Sequence, residues 1–158
     1  PLLYYCSDMT TKVSPKLVTM MNNALENEHA AYVQYLSHAK LVKGITAKPI
    51  INRLKGIAGD HRRHQKKLRH LLGDYLGAVP SMKMGKTYEA DSIDKILTTN
   101  LKFEKDTIDQ YMRILSELNI EQNNLPYEFL KINFALERIV RRDQSHVSQL
   151  SKLLGEAM

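Results

Sequence analysis

Apolar residues recur along most of this chain at alternating spacings of three and four, the pattern of one packed face of an α-helix. Glycine, proline and asparagine interrupt the pattern at three places, residues 44–49, 73–85 and 119–126. Because these residues typically end helices, the sequence predicts four helical segments. The segments cover about residues 16–43, 50–74, 91–118 and 126–154.

The lengths of the three interruptions indicate how the helices are connected. The first and third are short, which favours antiparallel neighbours, whereas the second is long enough for the chain to cross a bundle. Strand-type alternation is weak throughout. We therefore expect an all-α four-helix bundle over residues 16–158, with one long crossover between helices two and three and an N-terminal extension over residues 1–15.

Each inward-facing stripe is mostly apolar but carries ionisable residues near its middle. These residues are Glu28, His61, His64, Glu104, Asp143 and His146. A buried carboxylate costs on the order of several kcal/mol unless it is paired or binds a metal. Three carboxylates and three imidazoles form a donor set suited to divalent iron, manganese or zinc. The stripes therefore predict a metal site at the bundle centre, with a metal-free hydrogen-bond network of Glu–His and Asp–His pairs as the alternative.

Composition places few further limits on the function. The chain is 43% hydrophobic and 25% charged, as in ordinary soluble domains. It has no apolar run long enough to span a bilayer, so no membrane association is expected. Cys6 is the single cysteine, which excludes an internal disulfide and favours a reducing, cytoplasmic setting.

Four short motifs carry a family resemblance, and each lies on a different predicted helix. They are Glu28-x-x-Ala31-x-x-Gln34-Tyr35, His61-Arg-Arg-His64, Asn100-Leu-Lys-Phe-Glu104 and Arg142-Asp143-Gln-Ser-His146. In this order and spacing they resemble the ferritin-like di-iron carboxylate proteins, and most closely bacterioferritin and the DNA-protecting mini-ferritins. The resemblance extends from about Leu17 to Leu154.

The resemblance implies three pairs of metal ligands. They are terminal carboxylates at Glu28 and Glu104, terminal imidazoles at His64 and His146, and bridging ligands at positions 61 and 143. The implied cofactor is iron, as one or two ions, with manganese or zinc as alternatives. The implied chemistry is oxidation of Fe(II) by dioxygen or hydrogen peroxide, with Tyr35 close to the metals.

Both bridging positions depart from the family pattern. His61 cannot bridge two metals through two oxygens, and Asp143 is one methylene shorter than glutamate. Asp60 points about 100° away from His61 around the helix, so it is a poor substitute. An asymmetric di-metal site, a single metal held by a histidine-rich subset and a degenerate centre all remain open, and so does a non-catalytic bundle.

Other positions give weaker expectations. His38 lies on the inward stripe about two and a half turns from Glu28, and we interpret it as a core residue or as a residue that supports the ligands, not as a ligand. Haem is not expected, because Arg62 stands where bacterioferritin has its haem-ligating methionine. By analogy with the family we expect a homo-oligomer, at least a dimer.

The formal net charge of +6 raises the question of an acidic partner. Basic residues crowd the outer faces of helices two and four: Arg62, Arg63, Lys66, Lys67, Arg69, Arg138, Arg141 and Arg142. A solvated surface is the simpler interpretation, since no nucleic-acid recognition motif accompanies these charges. Binding of DNA through the basic surface remains the alternative.

Overall fold

The computed structural model describes residues 13–155, and within this range the secondary structure is entirely helical. The four long helices are α1 (Pro15–Ala39), α2 (Ala47–His70), α3 (Ile93–Ile120) and α4 (Phe129–Leu154). A π-helical turn, Leu71–Tyr75, extends α2, and a 3₁₀ turn, Gln122–Asn124, precedes α4. The predicted all-α four-helix bundle is confirmed. Most of the expected N-terminal extension, including Cys6, lies outside the described residues.

Local interactions explain where the helices begin and end. The Ser14 hydroxyl accepts a hydrogen bond from the Leu17 amide, and Pro15 occupies the first turn, where its missing N–H costs nothing. Gly155, with a φ of 74°, ends α4 in the left-handed conformation. The first helix ends at Ala39, earlier than predicted, because the Leu41 amide turns back to the His38 carbonyl. None of the described helices is long and apolar enough to cross a membrane.

The helices form two hairpins that pack against each other. Helix α1 packs on α2, and α3 packs on α4, while α1 also contacts α3 and α2 contacts α4. The crossover, residues 76–92, runs alongside α1 in the same direction, since Asn22 contacts Ser81 and Gln34 contacts Tyr88. It therefore returns the chain to the C-terminal end of α1, where α3 begins, and the predicted long crossover is confirmed.

Gly85 marks the closest approach of the crossover to α1. Its amide donates a 2.8 Å hydrogen bond to the Glu26 carbonyl. A β-carbon at this position would lie 3.3 Å from that same oxygen. Glycine therefore lets the two backbones approach closely, which fixes the crossover against the helix that carries Glu28.

The core consists of two apolar clusters separated by a polar layer. One cluster joins the N-terminal half of α1 to the C-terminal half of α2, with Leu17, Met21, Leu68 and Leu71 among its members. The other occupies the opposite end of the bundle. Between them lies the layer of ionisable residues that the stripes predicted, so packing at both ends excludes water from this layer.

Candidate metal centre

All six predicted ligand residues lie in this central layer, and all are buried. Helices α1 and α3 each supply one glutamate, Glu28 and Glu104. Helices α2 and α4 each supply a pair three residues apart, which places both side chains of a pair on the inward face.

The donor atoms form two groups. One contains Glu28, His61 and His64, and the other contains His61, Glu104, Asp143 and His146. Within each group the candidate ligand atoms all lie within 4.8 Å of one another. Because His61 belongs to both groups, the layer resembles two adjoining metal sites with one shared residue.

The imidazole of His61 lies between two glutamates. Its Nδ1 donates a 2.6 Å hydrogen bond to Glu28 Oε2, and its Nε2 donates a 2.7 Å hydrogen bond to Glu104 Oε1. Ionised carboxylates can only accept, so both ring nitrogens carry a proton. Burial disfavours this charged ring, but the two carboxylates outweigh burial and raise the pKa of His61 well above 6.5.

The three carboxylates of the layer ionise differently. Burial acts to raise the pKa of Glu28 and of Glu104, but the neighbouring imidazoles outweigh burial and lower both pKa values. The pKa of Glu104 falls to about 2. Burial also raises the pKa of Asp143, in this case to about 6. Contact with His146 acts to lower this pKa, whereas repulsion from Glu104 and Glu28 acts to raise it. Asp143 is therefore the carboxylate of this layer whose charge is least well compensated.

Three donor atoms of this layer are buried without a hydrogen-bond partner among the described residues. They are both carboxylate oxygens of Asp143 and Nδ1 of His64. Unpartnered buried polar atoms are rare in proteins, and an ion is one of the groups that satisfies them. The Asp143 carboxylate and Nδ1 of His64 are thus not members of a complete hydrogen-bond network among the described residues, and their atoms are open to a ligand.

The spacing of these atoms also suits a metal. Asp143 Oδ1 lies 3.4 Å from His146 Nδ1 and 3.7 Å from His64 Nδ1. These separations are long for hydrogen bonds, but ligands about 2.1 Å from a tetrahedral ion are about 3.4 Å apart. Asp143 Oδ1 therefore lies between the rings of His64 and His146, and the donor set fits a divalent ion with nitrogen and oxygen ligands.

Asp60 orients the ring of His146. The Nε2 of His146 donates a 2.8 Å hydrogen bond to Asp60 Oδ2, which leaves Nδ1 directed toward Glu104 and Asp143. Burial acts to lower the pKa of His146, but contacts with Asp143 and Glu104 raise it to about 9. Carboxylates that hold a ligand histidine in this way are common around protein metal sites.

Two tyrosines hold the glutamates. The Tyr35 hydroxyl donates a 2.7 Å hydrogen bond to Glu104 Oε1, and the Tyr111 hydroxyl donates a 2.6 Å hydrogen bond to Glu28 Oε1. Burial and the nearby carboxylates raise the pKa of both phenols well above 10. Both hydroxyls therefore remain protonated and serve as donors.

Three residues outside the six predicted ligands also contact this part of the core. His38 is buried in the core, where it contacts the Tyr88 carbonyl and the side chain of Asn100, as expected. Asp60 belongs to neither donor group. Its contact with His146 was not predicted. Tyr111 was not among the predicted site residues. Its spacing of seven from Glu104 equals that of Tyr35 from Glu28, a signal that could have revealed it.

Comparisons with known proteins agree with this architecture. Residues 18–157 match a family model described as a ferritin-like domain. The structure is similar to a crystal structure of ferritin-like, diiron-carboxylate proteins from Bacillus anthracis str. Ames, with a TM-score of 0.80 and 21% identity. The similarity covers 90% of this chain and 99% of the other chain, and at this identity it establishes a shared fold. No curated protein sequence matches this chain.

Proposed function

Because this chain belongs to the ferritin-like domain family, we propose that its central layer binds divalent metal ions, iron first among them, and oxidises Fe(II). The observation that carries the proposal is the set of unpartnered donor atoms on His64 and Asp143. Their burial among four other ionisable side chains is costly without a ligand, and a metal ion removes that cost.

We propose a site for two ions, with an atypical set of ligands. Glu28 and His64 would bind one ion, Glu104 and His146 the other, and Asp143 lies between the two imidazoles. His61 would serve both ions as an imidazolate, which has lost both ring protons, since one ring nitrogen faces each glutamate. This arrangement replaces one of the bridging carboxylates implied by the family resemblance with an imidazole.

The residues of the chain would control protons and water at this site. Bound Fe(II) would supply one-electron chemistry toward dioxygen or hydrogen peroxide. Metal binding requires that His61 and His146 give up the protons on their ligating nitrogens, because a metal binds the unprotonated nitrogen. The tyrosine hydroxyls fix the glutamate carboxylates, and the apolar clusters at either end exclude water.

A direct test is loading with Fe(II), Mn(II) or Zn(II), followed by metal analysis and anomalous scattering at the bundle centre. The expected result is two ions per chain within the layer. One ion per chain would assign the site to a single metal, and no metal at the centre would refute the proposal.

Oxidation is tested separately, by consumption of dioxygen and of hydrogen peroxide with Fe(II). A Glu104→Ala variant is expected to lose most of the activity of the wild type. Glu121→Ala is a matched control, because Glu121 is a buried glutamate like Glu104. Glu121 directly follows α3 and accepts hydrogen bonds from Ser14, far from the layer. Equal rates in the wild type and in Glu104→Ala would mean that the centre does no oxidation.

A non-catalytic bundle is the second candidate function, and one observation favours it. The doubly protonated His61 already places one positive charge between Glu28 and Glu104 and donates a short hydrogen bond to each. A cation supplied by the chain itself can thus take the place of a metal between these carboxylates. In that case the metal-free protein would be the functional form, and it would not gain thermal stability from any of the three metals.

A further inference from the structure

A cavity of about 500 Å³ opens between α2 and α4, next to the candidate metal centre. Five positively charged side chains line it: Arg63, Lys67, Lys131, Arg138 and Arg142. Among the described residues, Asp60 is the one carboxylate that lines it. The α2–α4 cavity therefore collects a strong positive charge within a concave surface.

Asp60 does not balance these charges, because its carboxylate is already engaged. It accepts hydrogen bonds from Arg63 and from Arg142, the latter at 2.7 Å, and it also accepts the 2.8 Å bond from His146. The two arginines and the imidazole thus share one negative charge. The remaining cations of the cavity do not contact the Asp60 carboxylate.

Lys131 and Arg138 are held by aromatic rings instead. The Lys131 ammonium lies 5.8 Å from the centre of the Tyr75 ring, and the Arg138 guanidinium lies 5.8 Å from that of Phe134. Neither side chain, nor that of Lys67, forms an ion pair with any carboxylate of residues 13–155. Aromatic contacts position a cation without neutralising it, so three cations of the cavity lack a counter-ion within the part of the chain that the structure describes.

A small oxoanion fits these features. Cations gathered in a concave surface focus a positive potential, and oxoanions form short, charge-assisted hydrogen bonds with arginine and lysine. We propose that the α2–α4 cavity binds a small oxoanion, with inorganic phosphate as its simplest representative. The recess favours a compact ligand over a nucleic-acid duplex, whose phosphates lie along an extended surface.

The α2–α4 cavity adjoins one of the two donor groups of the central layer. His64 lines the cavity and also belongs to one of the two donor groups. A bound anion would therefore lie next to a candidate metal ligand, while the surrounding positive charge would repel free Fe²⁺ approaching by this route. Anion binding itself depends only on the cavity, so it does not require a metal in the layer.

The test is calorimetric titration of the metal-free protein with sodium phosphate at low ionic strength. The variant Lys131→Gln/Arg138→Gln removes two cavity cations that contact no residue of the layer. The matched control, Arg62→Gln/Lys66→Gln, removes the same charge from exposed positions of α2 that do not line the cavity. All four side chains are exposed, so both variants are expected to melt at the wild-type temperature.

The expected result is saturable phosphate binding that weakens at least about tenfold in the cavity variant and stays within about twofold of wild type in the control. Equal weakening in both variants would overturn the proposal, because general surface charge would then explain the binding. Absence of phosphate binding to the wild type would also overturn it. Binding of a short DNA duplex without phosphate binding would assign these cations to a nucleic-acid surface instead.

Discussion

Tyr111 on α3 donates its hydroxyl to Glu28 on α1 at 2.6 Å, and this contact has a counterpart on the other side of the layer. Tyr35 on α1 donates to Glu104 on α3 at 2.7 Å. Each tyrosine follows the glutamate of its own helix by seven residues, about two helical turns. The two helices thus hold each other's carboxylates, which gives the layer an approximate two-fold symmetry.

Replacing Tyr111 with phenylalanine tests the value of this contact. Tyr111→Phe leaves a buried carboxylate oxygen without its donor, which is expected to cost about 1–3 kcal/mol in the free energy of unfolding. Loss of an orienting hydrogen bond is also expected to weaken Zn(II) binding by roughly 10–100-fold. Urea unfolding and a competitive metal titration measure the two effects. Tyr127→Phe, at a side chain that is 90% exposed, should change neither, and unchanged Zn(II) affinity in Tyr111→Phe would contradict the prediction.

Asp60 is predicted to act on metal binding through His146. Asp60→Asn keeps the size of the side chain but removes the charge that holds the ring Nε2. We expect Zn(II) affinity to fall by roughly 10–100-fold, as for other residues that orient a ligand histidine. The control is Asp109→Asn, at an exposed position of α3. A wild-type affinity in Asp60→Asn, measured by competition with a chelator, would show that His146 does not depend on this contact.

The spacing of apolar residues was sufficient to predict the fold and the location of the layer. None of the six predicted ligand residues is exposed, because an inward face follows from helical geometry alone. His61 and His64 point inward together for the same reason. The order and spacing of the four motifs then pointed to a family that the match over residues 18–157 confirms.

The stripes could not predict which atoms meet across the bundle. Asp60 lies beside the stripe, and its role depends on Arg142 and His146, which reach it from α4. Nor could the sequence show that each nitrogen of His61 faces a different glutamate. These contacts depend on the rotation and offset between helices, which the spacing within one helix does not determine.

The metal-free protein is predicted to lose stability as the pH rises above neutrality. His146 has a folded pKa of about 9 against an ordinary value of 6.5, so its protonation stabilises the fold below pH 6.5. That contribution, on the order of 3 kcal/mol, is lost progressively as the pH rises through 9. Asp143 acts in the same direction, since its raised pKa of about 6 makes its ionisation costly between about pH 4 and pH 6.

At acid pH the change of stability with pH has the opposite sign, so stability falls as the pH falls. Glu104, with a pKa of about 2 against 4.5, stabilises the fold above pH 4.5 and loses this effect as the pH falls toward 2. The contribution of the layer should therefore be greatest near pH 4.5. It should decline as Asp143 ionises toward pH 6, and decline again as His146 loses its proton between pH 6.5 and 9. Melting temperatures after chelator treatment test this, and His146→Asn should flatten the decline between pH 6.5 and 9. A metal-free wild type that becomes more stable over that range would contradict the prediction.

The variant His61→Glu restores a carboxylate at the position where the family pattern implies a bridging carboxylate. Without metal, a carboxylate there replaces the cation between Glu28 and Glu104, and the like charges should cost roughly 3–5 kcal/mol of stability. With two divalent ions, four carboxylates balance the metal charge, so Mn(II) or Zn(II) should raise the melting temperature of this variant more than that of the wild type. His61→Gln, which adds no carboxylate, should lack this gain. Metal-free His61→Glu protein as stable as the wild type would show that His61 does not act as the cation of the layer.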